Sequence, residues 1–278
     1  MPGSPSLCET ETMSAGADRL TVDGLLLDMD GVLTVSRRPV TGAVEAVGRL
    51  RAAGLPLRVL TSTTSHTRAE IGASLRAAGF ALDDDDILTA AGATAEYLRS
   101  HHPGARVFCL GDGRAEDLDG VDLVGLPEEP EVILVSGADV SFTFDTLNLV
   151  YRRLLAGAAL VAMHRNLSWM TDEGVCLDAG AYLLGLERAV GREAAVTGKP
   201  APDLFEVALR RLGLSPGRVA MVGDDLDNDV LAAQRLGIAG VLVRTGKFRE
   251  ELLRAAATPP DRVIDSVADL PRLLAIGS

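Results

Sequence analysis

Gly24–Gly31 reads GLLLDMDG: three leucines in a row, two aspartates one residue apart, then a glycine. A short unbroken apolar run closed by acids suits a strand buried on both faces, the mark of a parallel sheet. The same grammar repeats outward from it. Thr41–Ala53 carries apolar residues at Val44, Val47 and Leu50 and stops at Gly54, which predicts a helix. Leu57–Thr61 (LRVLT) predicts a second strand, and Thr67–Ala78 a second helix closed by Gly79. Much further along, Val219–Val222, Asp229–Leu236 and Gly240–Val243 again read strand, helix, strand. The alternation predicts an α/β fold built on a mostly parallel sheet.

The middle of the chain has its own α/β character. Strands are predicted at Arg106–Leu110, Val132–Val135 and Leu160–Met163, and helices at Thr143–Leu155 and Ala179–Val190. An insertion between two halves of one sheet is the economical arrangement: a core of residues 20–83 and 194–278 and an inserted domain of residues 84–193. The first 19 residues, dominated by Pro, Gly, Ser, Thr and Glu, read as a loose tail. The run Asp83–Asp86 reads as a solvated loop or the charged start of a turn.

Composition narrows the function. The 278 residues carry 27 Lys plus Arg against 39 Asp plus Glu, a formal net charge of −12. Such a balance disfavours non-specific binding to nucleic acid or to an anionic membrane, both of which need surplus cations. The longest uncharged apolar stretch, Leu154–Met163, is too short to cross a bilayer. The three cysteines, Cys8, Cys109 and Cys176, have no CxxC spacing, so reduced thiols and a cytoplasmic location are expected. Only two of the 27 basic residues are lysine, Lys199 and Lys247.

Four islands carry the chemistry. Asp28 and Asp30 close the first strand, Thr61-Ser62-Thr63 closes the second, Lys199 lies in Gly198-Lys199-Pro200, and Gly223-Asp224-Asp225 follows the strand Val219–Val222, with Asp229 just beyond. Ligands of open parallel sheets bind at the carboxyl ends of the strands, so all four islands are expected at one rim. Carboxylates gathered there repel one another unless a cation joins them. A hard divalent ion with oxygen ligands meets that need, and Mg²⁺ also accepts phosphate oxygens. One carboxylate can then attack phosphorus, while a second serves as acid and base. Two competing motifs fail: Glu116 stands where a GxGxxG pattern starting at Gly111 needs glycine, and Val230 and Leu236 break a calcium loop started at Asp225.

DMDGVLT, Thr61, Lys199 and GDDLDND (223–229), in that order, resemble the four motifs of the haloacid dehalogenase (HAD) superfamily. The long insertion resembles a C2-type cap. The resemblance implies a Rossmann-like core with an inserted α/β cap, and a Mg²⁺-dependent phosphatase acting on a small phosphorylated metabolite. It makes Asp28 the nucleophile and Asp30 the general acid/base, whose backbone carbonyl also ligates the metal. Thr61 would bind the transferring phosphoryl group, Lys199 would neutralise charge, Asp224 would ligate Mg²⁺, and Asp225 and Asp229 would be outer-shell partners. Ser62 and Thr63 stand where the commoner pattern has amides. Within the cap, His164 and Arg165 follow an apolar strand and are candidate substrate-reading groups. The resemblance also points to pairing of two copies through the cap. Hydrolysis of pyrophosphate or of a P–N bond is the nearest alternative; a phospho-acceptor or phosphometabolite-binding protein without turnover is an alternative of another class.

Overall fold

The apolar run Gly24–Asp28 is the hub of the structure, a computed structural model that describes residues 19–276 apart from residues 37, 114, 172 and 173. In chain order the strands are β1 (Gly24–Asp28), β2 (Thr34–Val35), β3 (Arg38–Pro39), β4 (Leu57–Thr61), β5 (Ile87–Thr89), β6 (Arg106–Leu110), β7 (Asp122–Leu123), β8 (Val132–Val135), β9 (Ala159–Ala162), β10 (Ser168–Thr171), β11 (Gly174–Leu177), β12 (Ala195–Val196), β13 (Val219–Gly223), β14 (Ala239–Val243) and β15 (Arg262–Ile264). The longer helices are α1 (Ala43–Ala52), α2 (Arg68–Ala77), α3 (Ala90–His101), α4 (Phe144–Leu155), α5 (Ala179–Val190) and α6 (Pro202–Leu212).

Six strands form a parallel sheet in the order β15-β14-β13-β1-β4-β5. Strand alternation gives β1 two apolar faces. Leu25 and Leu27 pack in a cluster with Val47, Leu50, Ile71 and Leu75 of α1 and α2, while Leu26 packs with Leu204, Phe205 and Ala208 of α6. Each such leucine contributes roughly 1.5–3 kcal/mol on burial, which outweighs any single turn preference in fixing the register. A second sheet, also parallel, has the order β12-β9-β8-β6-β7 and packs against α4 and α5 on one side and α3 on the other.

The α/β alternation is as expected, with three differences. The inserted region was expected to start at residue 84 and end at 193. The pairing puts Ile87–Thr89 at the edge of the first sheet, beside β4, and Ala195–Val196 at the edge of the second, beside β9. Edge strands of two or three residues are too short to carry a periodic signal. The helix expected over Asp229–Leu236 is broken into a π-helical turn, Leu226–Leu231, and one α-turn, Ala232–Arg235. Asp225 is its cap, accepting the Asn228 N–H at 3.0 Å. Single π-turns of this kind recur at functional sites. Helices α3 and α6 had no counterpart in the sequence reading. Among the described residues no helix is long and apolar enough to cross a membrane.

Candidate active site

Each predicted island follows the carboxyl end of a strand. Asp28 is the last residue of β1, and the chain then turns sharply, with the Leu33 and Thr34 N–H groups both donating to the Met29 carbonyl. Thr61 ends β4 and is buried; its hydroxyl accepts the Thr63 N–H at 3.2 Å. Lys199 follows β12, where the Gly198 N–H donates to the Met163 carbonyl at 3.0 Å. A Cβ on Gly198 would stand 2.3 Å from that same oxygen, so the close crossing that delivers Lys199 needs glycine. Asp224 directly follows β13, and Asp229 lies in the π-turn.

Folding brings Asp28, Lys199, Asp224 and Asp229 into one buried cluster. The Lys199 ammonium donates to Asp28 Oδ1 and lies 2.7 Å from Asp229 Oδ1. One oxygen each of Asp28, Asp224 and Asp229 falls within 4.8 Å of the others. Burial pushes the Asp28 carboxyl up to about 6 against the pull of Lys199. Burial and the neighbouring Asp28 push Asp229 up to about 7, and burial likewise raises Asp224. Burial opposes the charge on Lys199, but Asp229 and Asp28 outweigh it and hold the ammonium firmly protonated. Three crowded carboxylates facing one ammonium are short of positive charge.

Asp224 fits a cation ligand best. Its Oδ2 accepts the Lys247 N–H at 2.7 Å, while its buried Oδ1 has no hydrogen-bond partner. Two glycines cradle the carboxylate: a Cβ on Gly31 would come within 1.9 Å of Oδ2, and one on Gly246 within 2.0 Å. Both have positive φ, +92° and +63°. An unpartnered carboxylate oxygen held rigidly beside two further acids is what a hard cation site requires.

A cavity of about 240 Å³ opens over this cluster. Asp28, Asp30, Thr61, Ser62, Thr63, Asp225 and Asp229 line it from the first sheet, and Lys199 from the crossing that follows β12. Asp112, His164, Asn166 and Asp178 line it from the second. His164, expected as a substrate-reading group, therefore faces the cavity. Arg165 does not: its guanidinium is held by Glu187, with N–O distances of 2.7 and 2.8 Å, and by the Ala194 carbonyl. An ion pair with a carboxylate in its own sheet layer turns that side chain away, and the expectation of a substrate contact there is corrected. Asp225 caps the π-turn rather than joining the carboxylate cluster. Asp229, expected in the outer shell, is in direct contact with Lys199.

Sequence reasoning missed Asp112 and Asp178. Asp112 follows β6, where a hydroxyl of the first sheet's loop, Thr64 Oγ1, donates to its Oδ1 at 3.3 Å. Asp178 caps α5, accepting the Ala179 N–H at 2.7 Å. Neither position has a local signal beyond an ordinary turn or cap aspartate.

A haloacid dehalogenase-like hydrolase family model matches residues 25–124, and a HAD-hydrolase-like model matches residues 196–270. The chain is 32% identical over 270 residues to phospholysine phosphohistidine inorganic pyrophosphate phosphatase of Rattus norvegicus, covering 94% of this chain and 98% of that one. It is 34% identical over 237 residues to human haloacid dehalogenase-like hydrolase domain-containing protein 2, covering 85% and 89% of the two chains. Among solved structures, p-nitrophenyl phosphatase from Archaeoglobus fulgidus superposes with a TM-score of 0.84 at 30% identity, covering 91% of this chain and 99% of that one. NagD from E. coli K-12 gives 0.82 at 27% identity, covering 90% and 98%.

Proposed function

The chain belongs to the haloacid dehalogenase-like hydrolases and is a phosphatase of that family, and from this premise we propose that it hydrolyses a small phosphorylated metabolite through a phospho-aspartate on Asp28. The observation that carries the proposal is the convergence of Asp28, Lys199 and Asp224 beneath one cavity. Asp28 attacks phosphorus, and Lys199, already bonded to its carboxylate, keeps it ionised and offsets charge on the phosphoryl oxygens. Asp30, at the cavity wall, gives a proton to the leaving oxygen and later takes one from the attacking water. Thr61 and the Ser62-Thr63 loop, which line the same cavity, supply further donors to the phosphoryl oxygens. Asp28, Asp224 and the Asp30 backbone carbonyl would hold Mg²⁺, which supplies positive charge against the phosphoryl oxygens.

The first sheet and its helices then form the catalytic core, and the second sheet forms the cap that excludes water and selects substrate. A second reading, hydrolysis of pyrophosphate or of a P–N bond, rests on the activity named for the rat relative. The Asp28→Asn variant tests the proposal. It should keep the fold, by circular dichroism, and lose Mg²⁺-dependent hydrolysis of p-nitrophenyl phosphate by about 10³-fold or more. Substantial remaining turnover would refute the nucleophile assignment.

A further inference from the structure

The cap side of the cavity holds a donor and an acceptor side by side. His164 is 3% exposed and lines the cavity. The Asn166 backbone N–H points at its Nδ1 at 3.3 Å. A backbone N–H only donates, so Nδ1 carries the lone pair and the neutral ring bears its proton on Nε2. Burial, the largest influence, lowers the imidazole's affinity for a second proton against the pull of Asp178 and Asp112. Nε2 lies 3.9 Å from Asp178 Oδ2. That is too long for a direct hydrogen bond. It is short enough for one oxygen atom, about 2.8 Å from each, to bridge them.

Both groups are fixed in place. Asp178 Oδ1 is anchored by the N–H groups of Ala138 at 3.2 Å and Ala179 at 2.7 Å, which leaves Oδ2 toward the histidine. The loop bearing His164 is tied to the start of α5: Gly180 N–H donates to the Asn166 carbonyl and Asp178 N–H to the Leu167 carbonyl, both at 2.9 Å. A Cβ on Gly180 would stand 2.4 Å from the Arg165 carbonyl, so the tie is as close as glycine permits. The 3.9 Å gap is thus held from both sides.

We propose that His164 Nε2–H and Asp178 Oδ2 together grip one hydroxyl of the leaving group, so that the substrate is the phosphate ester of a polyol. This rests on the phosphatase reading of the same cavity and names its substrate class. A hydroxyl both accepts and donates, which satisfies both groups at once. An ammonium could donate to Asp178 but leaves the imidazole N–H without an acceptor. A second phosphate or a carboxylate would meet Asp112 and Asp178, two acids in the same wall. Pyrophosphate is therefore disfavoured.

Erythritol 4-phosphate and n-butyl phosphate share a carbon chain and differ in hydroxyls, so they isolate the grip. Wild-type protein with Mg²⁺ should prefer the erythritol ester by about 10-fold or more in kcat/KM, and prefer it over pyrophosphate. In His164→Phe and Asp178→Asn the preference should collapse to about 2-fold, mostly through KM, while n-butyl phosphate turnover stays within about 3-fold. His164→Gln, which keeps an N–H donor, should recover part of it. Equal losses on both esters, or a wild-type preference for n-butyl phosphate or pyrophosphate, would overturn the proposal. Calorimetric binding of the two esters to Asp28→Asn gives the same comparison without turnover. Failure of the hydroxyl grip and failure of the nucleophile assignment are then separate results.

Discussion

Lys199 occupies a space shaped for a compact charge. Its Nζ is shared between Asp28 Oδ1 and Asp229 Oδ1, and its side chain is 6% exposed. A guanidinium spreads the same charge over a plane and cannot bring one point against two carboxylates from that position without displacing one of them. Lys199→Arg should therefore keep the charge yet lose roughly 100-fold in kcat/KM, the scale of removing one preorganised electrostatic contact. Steady-state rates on p-nitrophenyl phosphate check this, and near-normal turnover would sink the argument. The composition carries the same message twice over. Of 27 basic residues only Lys199 and Lys247 are lysine, and both line the cavity. Lys247 acts first through its backbone, whose N–H holds Asp224 Oδ2. Arginine fills the surface pairs, such as Arg76 with Asp84 and Arg153 with Glu129, where a broad donor serves well.

At the scale of elements, α3 is the piece that couples the two sheets. Ala90, Ala91, Ala95 and Leu98 pack with Val107, Val132 and Leu134 of the second sheet, while Ala93 packs with Leu88 of the first and with Leu204 and Phe205 of α6. The Glu96 carboxylate also pairs with Arg211 of α6 at 2.7 Å. Alanines on both faces let the helix lie close to two layers. Ala93 is fully buried, so Ala93→Leu should overpack this seam and cost about 1–3 kcal/mol, read as a lower urea midpoint with unchanged slope. An unchanged midpoint would mean the seam has slack. This helix also marks where sequence reading stops. β1, β4 and β13 were legible because each is a run of five residues with burial on both sides and a turn signal behind it. The islands at their ends were legible for the same reason, since a strand's end can be located without knowing its neighbours. α3 is rich in alanine and carries no clear stripe, and β5 and β12 gain their identity only from pairing. The direct contact of Asp229 with Lys199, and the approach of Asp178 to His164, are products of the assembled fold, and no local spacing announces them.

Across the whole molecule, both parallel sheets turn their carboxyl ends to one cavity. Asp28, Thr61 and Asp225 come from or just beyond β1, β4 and β13, while Asp112, Gly137 and His164 follow β6, β8 and β9. The loops that face each other are acidic on both sides: six aspartates line the cavity against two lysines, so part of the overall charge of −12 gathers where an anionic phosphate binds. Without a cation that arrangement costs stability in a definite pH range. Burial raises Asp28 to about 6 and Asp229 to about 7 from an ordinary value near 3.8. Between those limits the folded protein holds protons that the unfolded chain has released. The stability slope is proportional to protons bound unfolded minus folded, which is negative there. The contribution of this pair is therefore greatest below about pH 4 and is lost as pH rises through 6 to 7, by an amount on the order of a few kcal/mol. A bound divalent cation reverses the sign, because it favours the ionised carboxylates and competes with their protons. Melting curves in EDTA and in excess Mg²⁺ should then show a larger Mg²⁺-induced rise in Tm at pH 8 than at pH 5. Asp224→Asn, which removes a carboxylate from the cradle of Gly31 and Gly246, should abolish most of that rise while leaving the EDTA melting curve at pH 8 unchanged or shifted upward. A Mg²⁺ effect of equal size at both pH values would show that the ion binds elsewhere than at this cluster.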